Sequence, residues 1–364
     1  MNILCVVGAR PNFIKLAPLL RAFRNYPALE PKVVHTGQHS GAAMSDVFFD
    51  QLDLPKPDYV LGIGGGTVTS QMAAILENFE RVLNQEQPDR VLVIGDVTST
   101  LACALAAAQH GTRVVHVEAG LRSGDERMPE ERNRRLTDAL SDLLFVTEPA
   151  GLINLQREGV AAQKIHFVGN VMIDALCHYR PHASKLDTVG RLGLNPKRYA
   201  LVTIHRPANV DTKSGLQTFL QLLKIVSMHQ PVVLPMHPRT RTNLIKFGLN
   251  HALKSLPNLC LLEPQGYLEM LNLLEHAALV ITDSGGIQEE TTYLQVPCLT
   301  FRNSTERPIT VELGTNQLIA DLRLETVNGK VIDILAGRAK IGQIPPLWDG
   351  QTAERIAQIL SKAG

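Results

Sequence analysis

Short runs of Val, Ile and Leu alternate with stretches of helical periodicity along almost the whole chain. Residues 3–7, 33–35, 90–94, 113–117, 143–146 and 165–168 read as strands. Phe13, Leu16, Ala17, Leu20 and Phe23 recur at the steps that line one side of a helix over 13–24, and 98–109 is an alanine-rich helix. Apolar runs this continuous belong to strands buried on both faces, as in a parallel sheet layered between helices. The pattern weakens between Gly169 and Tyr199, where a polar stretch from His182 to Thr188 and then Pro196 interrupt it. Strand-like runs resume at 199–204, 231–235, 259–262, 279–282 and 297–301. The pattern predicts an α/β chain of two doubly wound, Rossmann-like domains facing a cleft. Residues 1–169 with a terminal helix in 351–364 form the first, and 170–350 form the second.

A chain of 364 residues accommodates two domains with real cores, at ~150 residues each. Its 36 Lys and Arg against 35 Asp and Glu leave a formal charge of +1, so no global field draws it onto nucleic acid or an anionic membrane. With 45% apolar and 20% charged residues, the composition is that of a compact protein rather than a disordered one. Only the short apolar run 3–7 follows Met1-Asn2, with no basic residue ahead of it, which argues against a signal peptide. The longest run of small apolar residues, 101–108, falls far short of the ~20 that span a bilayer. The five cysteines, Cys5, Cys103, Cys177, Cys260 and Cys298, are widely separated and form no C-x-x-C pair. Reduced, buried thiols in a cytoplasmic protein are the expectation.

In an open parallel sheet, ligands bind beyond the carboxyl ends of the strands. The polar residues of this chain collect at those ends. The first half has Gly8-Ala9-Arg10-Pro11, Thr36-Gly37-Gln38-His39, Gly95-Asp96 and Glu118. The second has His205-Arg206, His237-Pro238, Asp283-Ser284-Gly285-Gly286 and Arg302. The Asp283 tetrapeptide follows a strand and opens a helix, where glycines and free N–H groups suit an anion. An ordinary N-cap by Asp283 or Ser284 accounts for it equally well. Glu289 and Glu290, one turn on, are placed to take ribose hydroxyls. Arg10, Lys15, Arg302 and Arg307 stand at strand ends or early helix turns and supply the charge that a diphosphate needs. Asp96 and Glu118 each close an apolar strand and are candidate acid–base groups, with Glu130 or Glu131 as a third. The run from Gly62 to Thr67 fits neither the dinucleotide fingerprint nor a P-loop and reads as a flexible loop. His35 and His39 are four residues apart across a strand-to-loop step rather than on a helix, so no metal site is expected.

These residues also carry a resemblance. Gly8-Ala9-Arg10-Pro11-Asn12-Phe13-Ile14-Lys15, His35-Thr36-Gly37-Gln38-His39, Gly95-Asp96, the segment from His116 to Arg122 and Pro129-Glu130-Glu131-Arg132-Asn133-Arg134 resemble the non-hydrolysing UDP-N-acetylglucosamine 2-epimerases. So do Thr203-Ile204-His205-Arg206, the segment from Asp283 to Glu290 and Thr305-Glu306-Arg307-Pro308. The resemblance implies a glycosyltransferase-B architecture, with UDP mainly on the second domain and the sugar against the first. It implies Asp96, Glu118 and Glu130 as catalytic carboxylates, with His205 assisting; Glu130 is the one that directly follows the proline. It implies Arg10, Lys15, Arg134, Gln265, Ser284, Gly285, Gly286, Glu290 and Arg307 as nucleotide-sugar contacts. A homodimer and a product that feeds a surface polysaccharide are further implications. Gln38 and His39 match part of the activator site at which many bacterial members bind a second UDP-GlcNAc. Two stretches depart from the family pattern. Gly64-Gly65-Gly66-Thr67 stands where the activator site's Arg-Gln pair is found, and Pro207-Ala208-Asn209 follows His205-Arg206.

The chemistry of such an enzyme follows from the sugar. The C2 proton is not α to a carbonyl, so direct abstraction is unfavourable. In an α-linked UDP-GlcNAc that proton and the C1–O bond are anti, so a carboxylate can remove the proton as UDP departs. Re-addition of UDP to the glycal, with protonation on the opposite face, gives UDP-ManNAc. The route needs stabilised phosphate and acid–base groups, but no redox cofactor and no metal. Release of free ManNAc by hydrolysis, epimerisation of a UDP-diacetamido-uronic acid, and glycosyl transfer are the alternatives.

Overall fold

The computed structural model describes residues 1–37 and 51–363. The chain divides into two compact units, Met1–Cys177 with Pro346–Gly364, and His178–Pro345. The boundary falls inside the helix Val171–Ser184, so residues 170–177 and 346–350 belong with the first unit rather than the second. Packing decides this. Val171, Ile173 and Leu176 are buried, Asp174 accepts the Ala353 N–H at 2.7 Å, and the buried Trp348 donates its indole N–H to Thr147 O at 3.1 Å. The terminal helix Thr352–Lys362 returns to the first unit, where Tyr26 donates to Glu354 at 2.6 Å.

Seven parallel strands form the first sheet: β1 (Asn2–Val7), β2 (Glu30–His35), β3 (Tyr59–Val60), β4 (Arg90–Ile94), β5 (Arg113–Ala119), β6 (Leu143–Val146) and β7 (Ile165–Phe167), in the order β3-β2-β1-β4-β5-β6-β7. Their near-continuous burial is what the apolar runs predict for a sheet covered on both sides. On one face Ile75, Phe79, Val82 and Leu83 pack with Ala102, Cys103, Ala106 and Ala107, small side chains that let helix and sheet approach closely. Each fully buried Leu or Phe in such a layer is worth about 1.5–3 kcal/mol.

The second sheet comprises β8 (Ala200–Thr203), β9 (Val232–Pro235), β10 (Leu259–Leu262), β11 (Leu279–Thr282), β12 (Cys298–Thr300) and β13 (Asn316–Leu318), in the order β10-β9-β8-β11-β12-β13. Its core gathers Leu216, Phe219, Leu223 and Val226 of the helix Lys213–Ser227 over Ala200, Val202 and Ile281. In both sheets the chain winds outward, then returns to the other side of its first strand. The direction of winding therefore reverses between β1 and β4 and again between β8 and β11, the two places where a doubly wound sheet opens to a ligand.

Periodicity does not reveal β3 or β13. The first is two residues long at a sheet edge, and the second, Asn316-Gln317-Leu318, is mostly polar. The helix Arg10–Phe23 starts three residues earlier than the apolar stripe indicates, because Pro11 is tolerated in a first turn that needs no N–H donor.

Candidate active site

At the first switch point, Asn12 locks the strand ends together. Its Oδ1 accepts the Ala9 N–H at 3.0 Å and its Nδ2 donates to Ile94 O at 2.9 Å. Ile94 pairs with Val117, so Gly95-Asp96 and Glu118 leave neighbouring strands side by side. Glu118 lies at a register slip between β5 and β6 with φ at +76°, a left-handed conformation unusual for a non-glycine residue. It is buried and ion-paired with Lys15, which is also buried. Lys15 thus reaches the strand end from the first helix, whose first residue is Arg10.

Asp96 is held by the helix Pro129–Leu140. Asn133 donates to Asp96 O at 2.8 Å, and Arg134, almost fully buried, pairs with the Asp96 carboxylate. The other arm of Arg134 reaches Glu131 at 2.6 Å. Glu131 also accepts Ser123 N–H at 2.8 Å, Ser123 Oγ at 2.9 Å and Gly124 N–H at 3.2 Å. Burial opposes its charge, but these donors from Ser123 and Arg134 prevail and hold Glu131 below the usual carboxylate range. Glu131 is committed to shaping the loop. Glu130 makes no hydrogen bond or ion pair among the described residues and lies three and four positions before Asn133 and Arg134, on the same side of the helix.

The second switch point is organised by Asp283, which is fully buried. Its carboxylate accepts the N–H groups of His205 and Arg206 at 3.0 and 2.8 Å and the Asn209 amide at 2.9 Å, and lies 3.3 Å from His205 Nδ1. With Nδ1 turned to Asp283, Nε2 is the nitrogen His205 presents elsewhere. The ring stacks on His237, centroids 4.8 Å apart. Asp283 is therefore no N-cap, and Ser284 makes no side-chain cap to the helix Gly285–Leu294 either. The ordinary-cap explanation of this tetrapeptide falls away.

Arg307 stands over that helix start. A Cβ on Gly285 would lie 2.5 Å from an Arg307 guanidinium nitrogen, so a side chain there would make Arg307 shift. Arg307 and Arg302, read from the sequence as cations for a diphosphate, are buried and ion-paired. Arg307 binds Glu289 at 2.7 Å and Glu306 at 2.5 Å, and Arg302 binds Glu306 at 2.8 Å. Burial works against the Glu306 charge, yet Arg307, Arg302 and Arg206 hold its carboxyl well below the usual range. Glu289 is thereby committed to Arg307, and Glu290 is buried in the same helix. Gln265 lies between β10 and the helix Tyr267–His276, with its amide on Glu263 O at 2.8 Å. Gln38 and His39 lie outside the described residues.

Sequence reasoning missed Asp138, Asn209 and Glu306 as organisers of these ends; the partners of Asp138 and Asn209 lie on other elements, whereas Glu306 pairs with Arg302 and Arg307 close by in the chain. Burial pushes the Cys5 thiol up to about 12 and Cys298 to about 11, so neither is a ready nucleophile. No cluster of three or more His, Cys, Asp or Glu among the described residues is arranged to hold a metal ion. No helix among them is long and apolar enough to cross a membrane.

A model of the UDP-N-acetylglucosamine 2-epimerase family matches residues 21–361. The UDP-N-acetylglucosamine 2-epimerase of Methanocaldococcus jannaschii is 40% identical over 367 residues, 99% of either chain. The UDP-2,3-diacetamido-2,3-dideoxy-D-glucuronate 2-epimerase of Pseudomonas aeruginosa is also 40% identical, over 366 residues and the full length of both. The crystal structure of the M. jannaschii UDP-GlcNAc 2-epimerase in complex with UDP-GlcNAc and UDP shares the fold with a TM-score of 0.93 at 40% identity, covering 100% of each chain. With its paired Rossmann-like units of glycosyltransferase-B type, the chain belongs to the UDP-N-acetylglucosamine 2-epimerase family and is an isomerase.

Proposed function

We propose that the protein interconverts UDP-GlcNAc and UDP-ManNAc without hydrolysis, by eliminating UDP to a glycal and adding it back. The observation that carries this reading is the emergence of Asp96 and Glu118 from paired strands at the first switch point, with Glu130 on the adjoining helix turn. Proton removal at C2 and delivery to the opposite face of the same carbon need carboxyl groups at more than one position, and these three supply them. Lys15 keeps Glu118 paired, and Arg134 keeps Asp96 in place. In the second unit, the helix start at Ser284-Gly285-Gly286 and Arg307 take the diphosphate, Glu290 takes the ribose, and Gln265 lies at the adjoining strand end. His205, oriented by Asp283, assists the departure of UDP through Nε2.

The full-length likeness to the P. aeruginosa enzyme supports a second reading, in which the sugar is a UDP-diacetamido-uronic acid. One experiment tests both. Each nucleotide sugar is incubated with the protein in deuterium oxide and followed by NMR. UDP-ManNAc carrying deuterium at C2, with no free sugar, is the expected result. Epimer without deuterium at C2 removes the elimination route, free ManNAc with UDP assigns hydrolysis, and turnover of the uronic acid alone transfers the reading to that substrate.

A further inference from the structure

Behind the two strand ends that carry Asp96 and Glu118 lies a buried pair that no substrate reaches. His116, on β5, is completely buried, and Asp138, on the helix Pro129–Leu140, nearly so. Asp138 Oδ1 meets His116 Nδ1 at 2.6 Å, and His116 Nε2 meets Gly95 O at 2.8 Å. The ring thus bridges the Asp138 carboxylate and the Gly95 carbonyl, one at each nitrogen. The second oxygen of Asp138 accepts the Gly120 N–H at 3.1 Å and an Arg122 nitrogen at 2.7 Å. Burial disfavours the Asp138 charge, but His116 and Arg122 together keep its carboxyl below the usual range.

The backbone atoms this pair grips are telling. Gly95 O belongs to the peptide that leads into Asp96, and Gly120 N lies two residues beyond Glu118. Between them the chain makes the left-handed step at Glu118 and another at Gly120, φ +79°, which an ordinary strand does not contain. Such conformations persist only where the surroundings hold them. The register of β4 on β5 is already set by the backbone ladder from Arg90 and Arg113 to Ile94 and Val117, so pairing of the strands does not require the histidine. What remains for His116 and Asp138 to determine is where the ladder ends and how its two carboxylates are aimed.

We propose that His116 and Asp138 are positioning residues for the epimerisation: they fix the spacing of Asp96 and Glu118 through Gly95 O and Gly120 N without touching the substrate. The proposal rests on the reading that Asp96 and Glu118 carry the proton transfers. A displacement of about 1 Å at a reacting group costs roughly 100-fold in rate, which sets the scale of the effect.

The test uses the full chain with His116→Gln, Asp138→Asn and the double variant, alongside Asp96→Asn and Glu118→Gln. In His116→Gln the amide still donates to Gly95 O, but its carbonyl faces the Asp138 carboxylate. In the double variant an introduced asparagine amide can donate to that carbonyl, restoring a neutral chain of hydrogen bonds. Each single change is expected to lower kcat about 100-fold while KM and the UDP dissociation constant move less than about twofold, and the double variant is expected to regain about tenfold. Wild-type kcat in the singles, or a loss spread equally over kcat, KM and UDP binding, overturns the proposal. If Asp138→Asn does not fold, His116→Gln decides alone by the same criterion. Should Asp96→Asn and Glu118→Gln keep wild-type kcat, the underlying catalytic assignment fails instead, which is a different result from their losing it while the His116 and Asp138 variants do not.

Discussion

The two switch points are electrostatic opposites. In the first unit the carboxylates proposed for proton transfer are held by buried cations: Arg134 for Asp96, Lys15 for Glu118. In the second the cation and the imidazole proposed to meet UDP are held by buried carboxylates: Glu289 and Glu306 for Arg307, Asp283 for His205. Where a pair is asymmetric, the buried member is the fixed one. The Arg134 side chain is 1% exposed against 24% for Asp96, and Asp283 is 0% exposed against 35% for His205. Lys15 with Glu118, and Arg307 with Glu289 and Glu306, are the exceptions, buried on both sides. On the proposed reading, one sheet architecture serves proton transfer or anion binding according to the sign of the group that is held.

The strongest way to break this contrast is to exchange the losses. Glu118→Gln is expected to lower kcat by about 10³-fold and leave UDP affinity within about twofold, since the loss is confined to proton transfer. Arg307→Ala is expected to do the reverse, weakening UDP at least about tenfold, or about 1.4 kcal/mol. Steady-state kinetics with calorimetric titration of UDP reads both, and equal losses in both parameters for either variant would end the division of labour.

Glu306→Ala probes the second unit further. It takes a carboxylate from Arg206, Arg302 and Arg307, the last two buried, and removing one partner of a buried pair costs about 3–5 kcal/mol. Urea unfolding should show that loss, and a change below about 1 kcal/mol would mean the arginines relax to solvent.

A smaller effect sharpens what the two units share. Asp138, Glu131 and Glu306 are all held below the usual carboxylate range by cationic or N–H donors that overcome burial. A carboxyl depressed in the folded state contributes stability that is fully present above its unfolded value, about 4, and is lost as the pH falls through the folded value. The urea midpoint should therefore hold near neutrality and decline below about pH 4. A midpoint that rises on acidification would contradict the sign.

Much of the site is legible as a run of residues. Gly95-Asp96, Glu118 and the Asp283 tetrapeptide announce themselves because a polar residue directly after an apolar strand has few purely structural uses. Glu130 and Glu131 are adjacent and chemically identical; the family resemblance chooses Glu130 by its place after the proline, and the donors from Ser123, Gly124 and Arg134 converging on Glu131 give the two different surroundings. The ion pairs of the arginines are not legible either, since Glu289 reaches Arg307 from the helix Gly285–Leu294. His116 and Asp138, 22 residues apart, leave no local trace at all.

Hydrophobic periodicity and the residues at strand ends therefore sufficed for the layered α/β class with two Rossmann-like domains and for naming the candidate residues, because these are properties of neighbours along the chain. The boundary inside the helix Val171–Ser184, the left-handed turn at Glu118 and the pairing of each buried charge came only with tertiary structure. A buried charge must find its partner wherever the fold brings one within about 3 Å, and distance through space is not written in the order of residues.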